Sequence, residues 1–145
     1  MKAQTVRTNP LISTQAKGRP LRPGEAAARV KAGLRSAEFD TLRELLDLTV
    51  ESLAARIGIS IATLSRRRQS ALPLDLGHSD RLVRFARLFR LASTLHDGDE
   101  AAARAWLHKP ARAFAGETPL DHAGTEAGAH EVETLIGRLE HGVYT

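Results

Sequence analysis

The stretch Leu45–Gln69, LLDLTVESLAARIGISIATLSRRRQ, decides the fold. Its first half predicts a short amphipathic helix that begins after the N-cap residue Thr49 and ends at Gly58, since glycine enters left-handed backbone space at little cost. Ser60 is a second N-cap, and Leu64 gives the following helix an inward side. Two short helices joined by a tight turn are typical of a helix-turn-helix, whose second helix enters the major groove of DNA.

The composition of the second helix favours DNA binding over an ordinary helical hairpin, which would share the same pattern. Three consecutive arginines accompany hydroxyl and amide side chains, all of which bind phosphates or base edges. Ile61 and Leu64 are predicted to point inward, whereas Arg68 tilts back along the core. The predicted DNA-binding residues are Ser60, Ala62, Thr63, Ser65, Arg66, Arg67, Arg68 and Gln69.

The composition of the 145-residue chain predicts an all-α protein, one domain or a small domain with an appendage. Alanine and leucine dominate, and no segment alternates as a strand does. There is no cysteine, which excludes disulfides and thiolate chemistry. No apolar run is long enough for a signal peptide or a membrane span, so we expect a cytoplasmic protein without membrane contact.

Charge is distributed unevenly along the chain, although the net charge is only +4. Residues 1–90 contain 17 Lys and Arg against 8 Asp and Glu, whereas residues 91–145 contain 4 against 9. A basic front half suits a polyanion such as DNA, because phosphate contacts release counterions. The acidic back half is explained either by a second partner or by solvated helix faces.

Three regions are expected along the chain. Residues 1–23 are basic, contain three prolines and no acid, and predict a disordered arm that is either a solvated tail or a DNA-contacting extension. Residues 24–77 form the helix-turn-helix region. Residues 78–145 form a long connecting helix and a small helical C-terminal domain.

Two features lie next to the boundary between the second and the third region. The connector after the arginine cluster contains Leu72, Leu74 and Leu76, which are expected to lie against the core. The helix Ser79–His96 carries an arginine at every third position, so these side chains spread around its polar half and predict a solvated surface with salt-bridging roles.

The C-terminal region carries several short motifs in a fixed order. They are Trp106, Leu107 and Pro110 of WLxxP; Gly116, Thr118, Pro119 and Leu120 of GxTPL; Thr125, Glu126 and Gly128 of TExG; and Leu139 and Gly142 near the end, with Arg138 one position out. Together with Ser79-Asp80-Arg81-Leu82, this series resembles the Xre-type antitoxins of the MbcA/ParS group over roughly residues 33–144. The departure is Asp121-His122-Ala123, where that family usually has more leucine.

The resemblance implies an antitoxin of a bacterial type II toxin–antitoxin pair, whose DNA-binding half represses its own operon. The C-terminal half of such a protein binds and inhibits a RES-domain toxin that acts on NAD. The implied partners are that toxin and operator DNA, with a homodimer expected inside a larger toxin–antitoxin complex. No cofactor is implied. The alternative is a stand-alone helix-turn-helix repressor whose C-terminal half only dimerises.

The last helix and the residues after it are the predicted toxin-binding site. An acidic surface suits a cationic nucleotide pocket, and Tyr144 is either an aromatic anchor or part of a frayed terminus. The predicted residues are Glu126, His130, Arg138, Leu139, Gly142, Val143, Tyr144 and Thr145.

Enzymatic activity is not expected. The chain has no phosphate-binding loop, GxGxxG motif or nucleophile elbow. Glu126 and His130 have the spacing of half a helical metal site, but no second His or Cys lies at ligand spacing. We therefore predict neither catalytic residues nor metal ligands.

Overall fold

Helices account for the regular structure of the chain. The computed structural model describes residues 10–19 and 21–142, and within these ranges there is no strand, which confirms the all-α fold class. The helices are α1 (Leu11–Ala16), α2 (Glu25–Ala32), α3 (Ser36–Leu46), α4 (Val50–Ile57), α5 (Ile61–Gln69), α6 (Leu76–Leu95), α7 (Glu100–Leu107), α8 (Pro119–His122) and α9 (Glu126–Glu140), with a 3-10 turn at Arg112–Phe114.

Local hydrogen bonds confirm the predicted boundaries of the helix-turn-helix, α4 and α5. The Thr49 side chain accepts a hydrogen bond of 3.1 Å from the Ser52 N–H. The Ser60 side chain accepts one of 3.1 Å from the Thr63 N–H. Gly58 lies between them with φ +76°, in the left-handed region where glycine is unstrained. The boundaries of the two helices therefore follow from short-range chemistry.

Packing in the helix-turn-helix follows the predicted pattern with one exception. Leu53, Ile57, Ile59 and Leu64 are buried. Ile61, which was expected to point inward, is 43% exposed, so that prediction is wrong. Among the nine residues of α5 only Leu64 is buried, and the helix packs against α4 and α3.

Two side chains from the first turns of α6 hold the turn of the helix-turn-helix in place. Arg81 Nη1 donates to the carbonyl oxygen of Ile57 at 3.0 Å, and His78 Nε2 lies 3.2 Å from the carbonyl oxygen of Gly58. These carbonyls end a helix and lack intrahelical partners. The start of α6 thus completes the hydrogen bonding of α4.

The N-terminal region differs from the disordered arm predicted for residues 1–23. Leu11 and Ile12 are fully buried, and α1 packs against α3 and α6. The prediction is wrong for α1 because two adjacent apolar residues in a basic, proline-rich stretch give little periodic signal, and their docking partners are distant in sequence. Residues 1–9 lie outside the described residues.

A buried carboxylate holds the start of α1. Glu38 Oε2 accepts hydrogen bonds from the N–H groups of Leu11 at 2.7 Å and Ile12 at 3.1 Å. Burial raises the pKa of Glu38, while these two hydrogen bonds and the nearby Arg29 guanidinium oppose the rise. Glu38 therefore acts as an N-cap supplied from a different helix, for donors that would otherwise be unsatisfied.

Helix α6 is the central element of the fold. It packs against α1, α2, α3, α4, α7 and α9, and its buried residues occur on several sides of the helix. The helix begins at Leu76, earlier than the predicted Ser79, because the Asp75 side chain accepts a hydrogen bond from the His78 N–H at 2.9 Å.

The arginines of α6 confirm the expected salt bridges but not a fully solvated surface. Arg84 is only 8% exposed, and its guanidinium contacts Glu126 at 3.0 Å. Arg87 pairs with Glu133, which is also on α9. The prediction failed for Arg84 because α9 covers what would otherwise be a polar face of α6.

The connector before α6 is also more exposed than predicted. Leu74 is buried, whereas Leu72 is 51% and Leu76 is 56% exposed. The N–H of Leu74 donates to the carbonyl oxygen of Leu34 at 2.8 Å, which fixes this one residue against the core. Leu72, before this contact, and Leu76, the first residue of α6, both remain exposed.

Polar contacts join the helix-turn-helix to the C-terminal helices. Arg56 Nη1 of α4 contacts Asp121 Oδ1 of α8 at 2.8 Å, while its buried Nε has no hydrogen-bond partner. Arg104 Nη1 of α7 donates to the carbonyl oxygen of Leu45 at 3.3 Å, and His108 Nε2 lies 2.7 Å from that of Leu46. The two halves share one hydrophobic core, and the boundary at 77/78 remains a prediction.

No helix in residues 10–19 and 21–142 has the length and hydropathy needed to cross a bilayer.

Replacement of Ile12 by alanine tests the docking of α1. We expect Ile12→Ala to lower the free energy of unfolding by about 2–5 kcal/mol, because it empties a fully buried site. Ser13→Ala, at the next and partly exposed position, is the control and should change it by less than about 0.5 kcal/mol. Urea denaturation measures both, and equal stabilities would show that this segment does not belong to the core.

Candidate functional site

The outer side of α5 is exposed and polar, as predicted. Ala62, Ser65, Arg66 and Gln69 are exposed, while Leu64 on the opposite side is buried. Thr63 and Arg67 are half-buried at the edge of this face. The structure thus brings most of the predicted DNA-binding residues onto one exposed face of α5, which is accessible to a large partner.

The three consecutive arginines of α5 have three different partners. Arg66 Nη2 donates to Thr63 Oγ1 at 3.1 Å, within the same helix. Arg67 Nη1 donates to the carbonyl oxygen of Pro73 at 3.2 Å. Arg68 instead forms an ion pair with Asp40 of α3, on the inner flank of α5. Among these contacts, that of Arg68 is with a carboxylate, whereas those of Arg66 and Arg67 are with uncharged oxygen atoms.

A notch of about 310 Å³ lies at the C-terminal end of this face. Its lining combines two guanidinium groups with two hydroxyl groups, the chemistry that binds a phosphate oxygen. Ser70 and Leu72 belong to this notch. Sequence reasoning did not include them because they lie after the end of α5, outside its helical pattern. The lining residues are Thr63, Arg66, Arg67, Ser70 and Leu72.

The predicted toxin-binding residues are spread along α9 rather than gathered in one cluster. Glu126, at the first position of α9, contacts Arg84 and Arg87 and so also joins the two halves of the chain. His130 and Arg138 are exposed and Leu139 is half-buried. Gly142 is exposed with φ +70°. Val143, Tyr144 and Thr145 lie outside the described residues.

His122 is the centre of a cluster that sequence reasoning did not single out as a site. Its ring stacks on Phe114 with centroids 4.2 Å apart, and its two nitrogens lie 3.2 Å from Glu117 and 3.1 Å from Glu131. Both nitrogens must donate to satisfy two carboxylates, which only the protonated ring does. The hydrogen bond to Glu117, followed by that to Glu131, accordingly raises the pKa of His122. The feature of the sequence that could have indicated this cluster is the departure from the family's usual residues at Asp121-His122-Ala123.

The residues described by the structure contain no group of three or more His, Asp or Glu side chains that could hold a metal ion. Glu126 is instead occupied by Arg84, so its helical spacing to His130 does not create a chelating pair.

These features define a helix-turn-helix protein with a helical C-terminal domain, and comparison with known proteins specifies the family. Residues 25–87 match the antitoxin Xre-like helix-turn-helix domain. Residues 91–142 match the antitoxin Xre/MbcA/ParS C-terminal toxin-binding domain.

Three relatives named Antitoxin Xre show similarity over most or about half of their lengths. The protein of Yersinia enterocolitica (serotype O:8 / biotype 1B) is 32% identical over 116 residues, 80% of this chain and 78% of the relative. That of Photorhabdus laumondii subsp. laumondii is 38% identical over 59% of this chain and 58% of the relative. That of Pseudomonas putida is 33% identical over 58% and 52%.

The chain therefore belongs to the Xre antitoxin family, the antitoxins of type II toxin–antitoxin systems, with a DNA-binding and a toxin-binding domain.

The cluster at His122 makes stability depend on pH. Because the pKa of His122 is higher in the folded than in the unfolded chain, its contribution is complete below the unfolded pKa and is lost as pH rises through the folded pKa. We expect Glu117→Gln to lower the pKa of His122 in an NMR titration and to flatten this pH dependence of unfolding. Glu140→Gln, an exposed position on α9, is the control. An unchanged His122 titration in Glu117→Gln would contradict this assignment.

Proposed function

We propose that this chain represses its own operon through α5 and inhibits a RES-domain toxin, which consumes NAD, through its C-terminal domain. The observation that carries the DNA-binding half is the exposed outer face of α5, where Ser65, Arg66 and Gln69 are free to reach base edges. The match of residues 91–142 to a toxin-binding domain supports the other half. The RES class of the toxin rests on family resemblance.

The residues of α5 divide by position into base-reading and phosphate-binding groups. Arg66 and Gln69 project from the outer face, and their side chains form bidentate hydrogen bonds with guanine and adenine, respectively. Ser60, Thr63 and Arg67 lie at the start or edge of α5, where the phosphate backbone flanks a helix in the major groove. The notch at Ser70 extends this phosphate-binding edge.

A homodimer is the proposed DNA-binding form. One short recognition helix reads only a few base pairs, and two-fold symmetric operators match two-fold symmetric proteins. The proposed assembly joins this dimer to the toxin in a larger complex.

The toxin-binding half is proposed to act by charge and by occlusion. The exposed residues of α9 include Glu131, Glu140, His130 and Arg138, all within the match to a toxin-binding domain. An acidic surface complements the cationic pocket that an NAD-consuming toxin needs for the pyrophosphate of its substrate. Residues 143–145, which include Tyr144, are the proposed blocking segment.

Alanine replacement of Arg66 and Gln69 together tests the DNA-binding face. Each bidentate base contact contributes about 1–3 kcal/mol of discrimination, so we expect the double variant to lose at least about tenfold in affinity for its own promoter DNA. A gel-shift assay with the promoter DNA measures this loss, and a random-sequence duplex is the reference. Binding of the co-expressed toxin should remain intact, and Arg112→Ala, an exposed position in the C-terminal domain, should change neither.

Two different results would contradict the two parts of the proposal. Undiminished promoter affinity would contradict the assignment of α5. Failure of the wild-type protein to co-purify with a RES-domain protein encoded by the neighbouring gene would instead favour a stand-alone repressor whose C-terminal half only dimerises.

Deletion of Val143–Thr145 tests the blocking segment. We expect the shortened protein to bind the RES-domain toxin, because α9 remains, but to inhibit its NAD consumption less than the full chain does. Co-purification measures binding, and NAD depletion in a reconstituted mixture measures inhibition. Alanine replacement of Val143 alone, which keeps Tyr144, is the milder comparison. Equal inhibition by the shortened and full-length proteins would exclude a blocking role for these residues.

A further inference from the structure

The pair of Arg68 and Asp40 differs from every other contact of the α5 arginines. Arg68 Nη1 lies 2.6 Å from Asp40 Oδ2, and Nη2 lies 3.0 Å from Oδ1, so the guanidinium and the carboxylate meet in a bidentate arrangement. Both side chains are partly exposed, at 43% and 39%. The pair therefore lies at the protein surface, on the flank of the proposed DNA-binding helix.

Asp40 compensates one positive charge of α5, the helix whose proposed partner is the polyanion DNA. Arg66 and Arg67 make hydrogen bonds only to a hydroxyl and a carbonyl oxygen, which leave their charges available for DNA. The Arg68 charge is instead compensated by Asp40, whose hydrogen bonds also raise the pKa of Arg68. A phosphate that recruited Arg68 would have to break this pair and would face the Asp40 carboxylate.

This competition acts on one component of DNA affinity. Phosphate contacts contribute equally for all sequences, whereas base contacts distinguish the operator from other DNA. A residue that blocks one phosphate contact therefore weakens non-specific binding without removing any base contact. Because the same contact is made on every sequence, blocking it lowers specific and non-specific affinity together and leaves their ratio unchanged.

We propose that Asp40 limits the strength of DNA binding by this protein, independently of the DNA sequence, by keeping Arg68 paired and away from the phosphate backbone. The proposal rests on the DNA-binding role proposed above for α5.

The variant Asp40→Asn tests the proposal because it keeps the shape of the side chain and removes its charge. Binding to a random-sequence duplex is measured by fluorescence anisotropy over a range of salt concentrations. We expect the slope of log affinity against log salt to become steeper by about 0.9, the value for one additional phosphate contact. Non-specific affinity at low salt should rise by up to about fivefold, the factor that corresponds to an exposed ion pair. Affinity for the chain's own promoter should rise by a similar factor, so that the ratio of the two affinities stays the same.

Two further variants separate release of Arg68 from a general charge effect. Glu44→Gln removes one negative charge from the same helix α3 at a position that faces Arg43 rather than α5, and it should leave the slope unchanged. Arg68→Gln should also leave the slope near the wild-type value, since the paired arginine makes no phosphate contact. In the double variant Asp40→Asn/Arg68→Gln the additional slope should disappear.

The outcomes are distinct. A lower affinity of Asp40→Asn for both duplexes would show that the pair positions α5, and an unchanged slope would show that Arg68 stays off the DNA without Asp40. Either result overturns the proposal. If Arg66→Ala/Gln69→Ala still loses promoter affinity in the same assay, only the role of Asp40 fails. If that variant binds normally, the DNA-binding role of α5 fails as well.

Discussion

The fold depends on the burial of α6, which is shared by both halves of the chain. This 20-residue helix packs against the N-terminal helices α1–α4 and against α7 and α9 of the C-terminal half. Phe85 and Phe89 on this helix are two of the largest fully buried side chains. Its first turns also complete the hydrogen bonding of the helix-turn-helix turn through Arg81. Both halves therefore bury an apolar face against the same helix.

The uneven distribution of charge along the sequence is partly resolved inside the molecule. Basic residues of the front half form ion pairs with acidic residues of the back half. The pairs are Arg56–Asp121, Arg84–Glu126 and Arg87–Glu133. Charge reversal between the two halves thus serves their contact as well as any partner. The positive charge of Arg66 on the outer face of α5 lies outside these pairs, which supports the proposed DNA-binding surface.

The residues at which the chain departs from its family's usual sequence have structural roles. Asp121 contacts α4, and His122 links α8 to the 3-10 turn and to α9 through Phe114 and two carboxylates. Polar side chains thus connect the elements at this place. This connection also introduces a dependence on pH that an apolar contact would lack.

The sequence by itself determined the elements whose cause is local. Thr49, Gly58 and Ser60 act within three or four residues, so the helix-turn-helix and the all-α class could be predicted, and the ordered C-terminal motifs identified the family. Only the tertiary structure decided which side chains remain free. The helix α1 is ordered by Glu38, 27 residues away from Leu11, and Arg68 is paired with Asp40, 28 residues away. Helical periodicity predicts the direction of a side chain but not the element that lies opposite it, and for that reason the available charge on α5 could not be counted from the sequence.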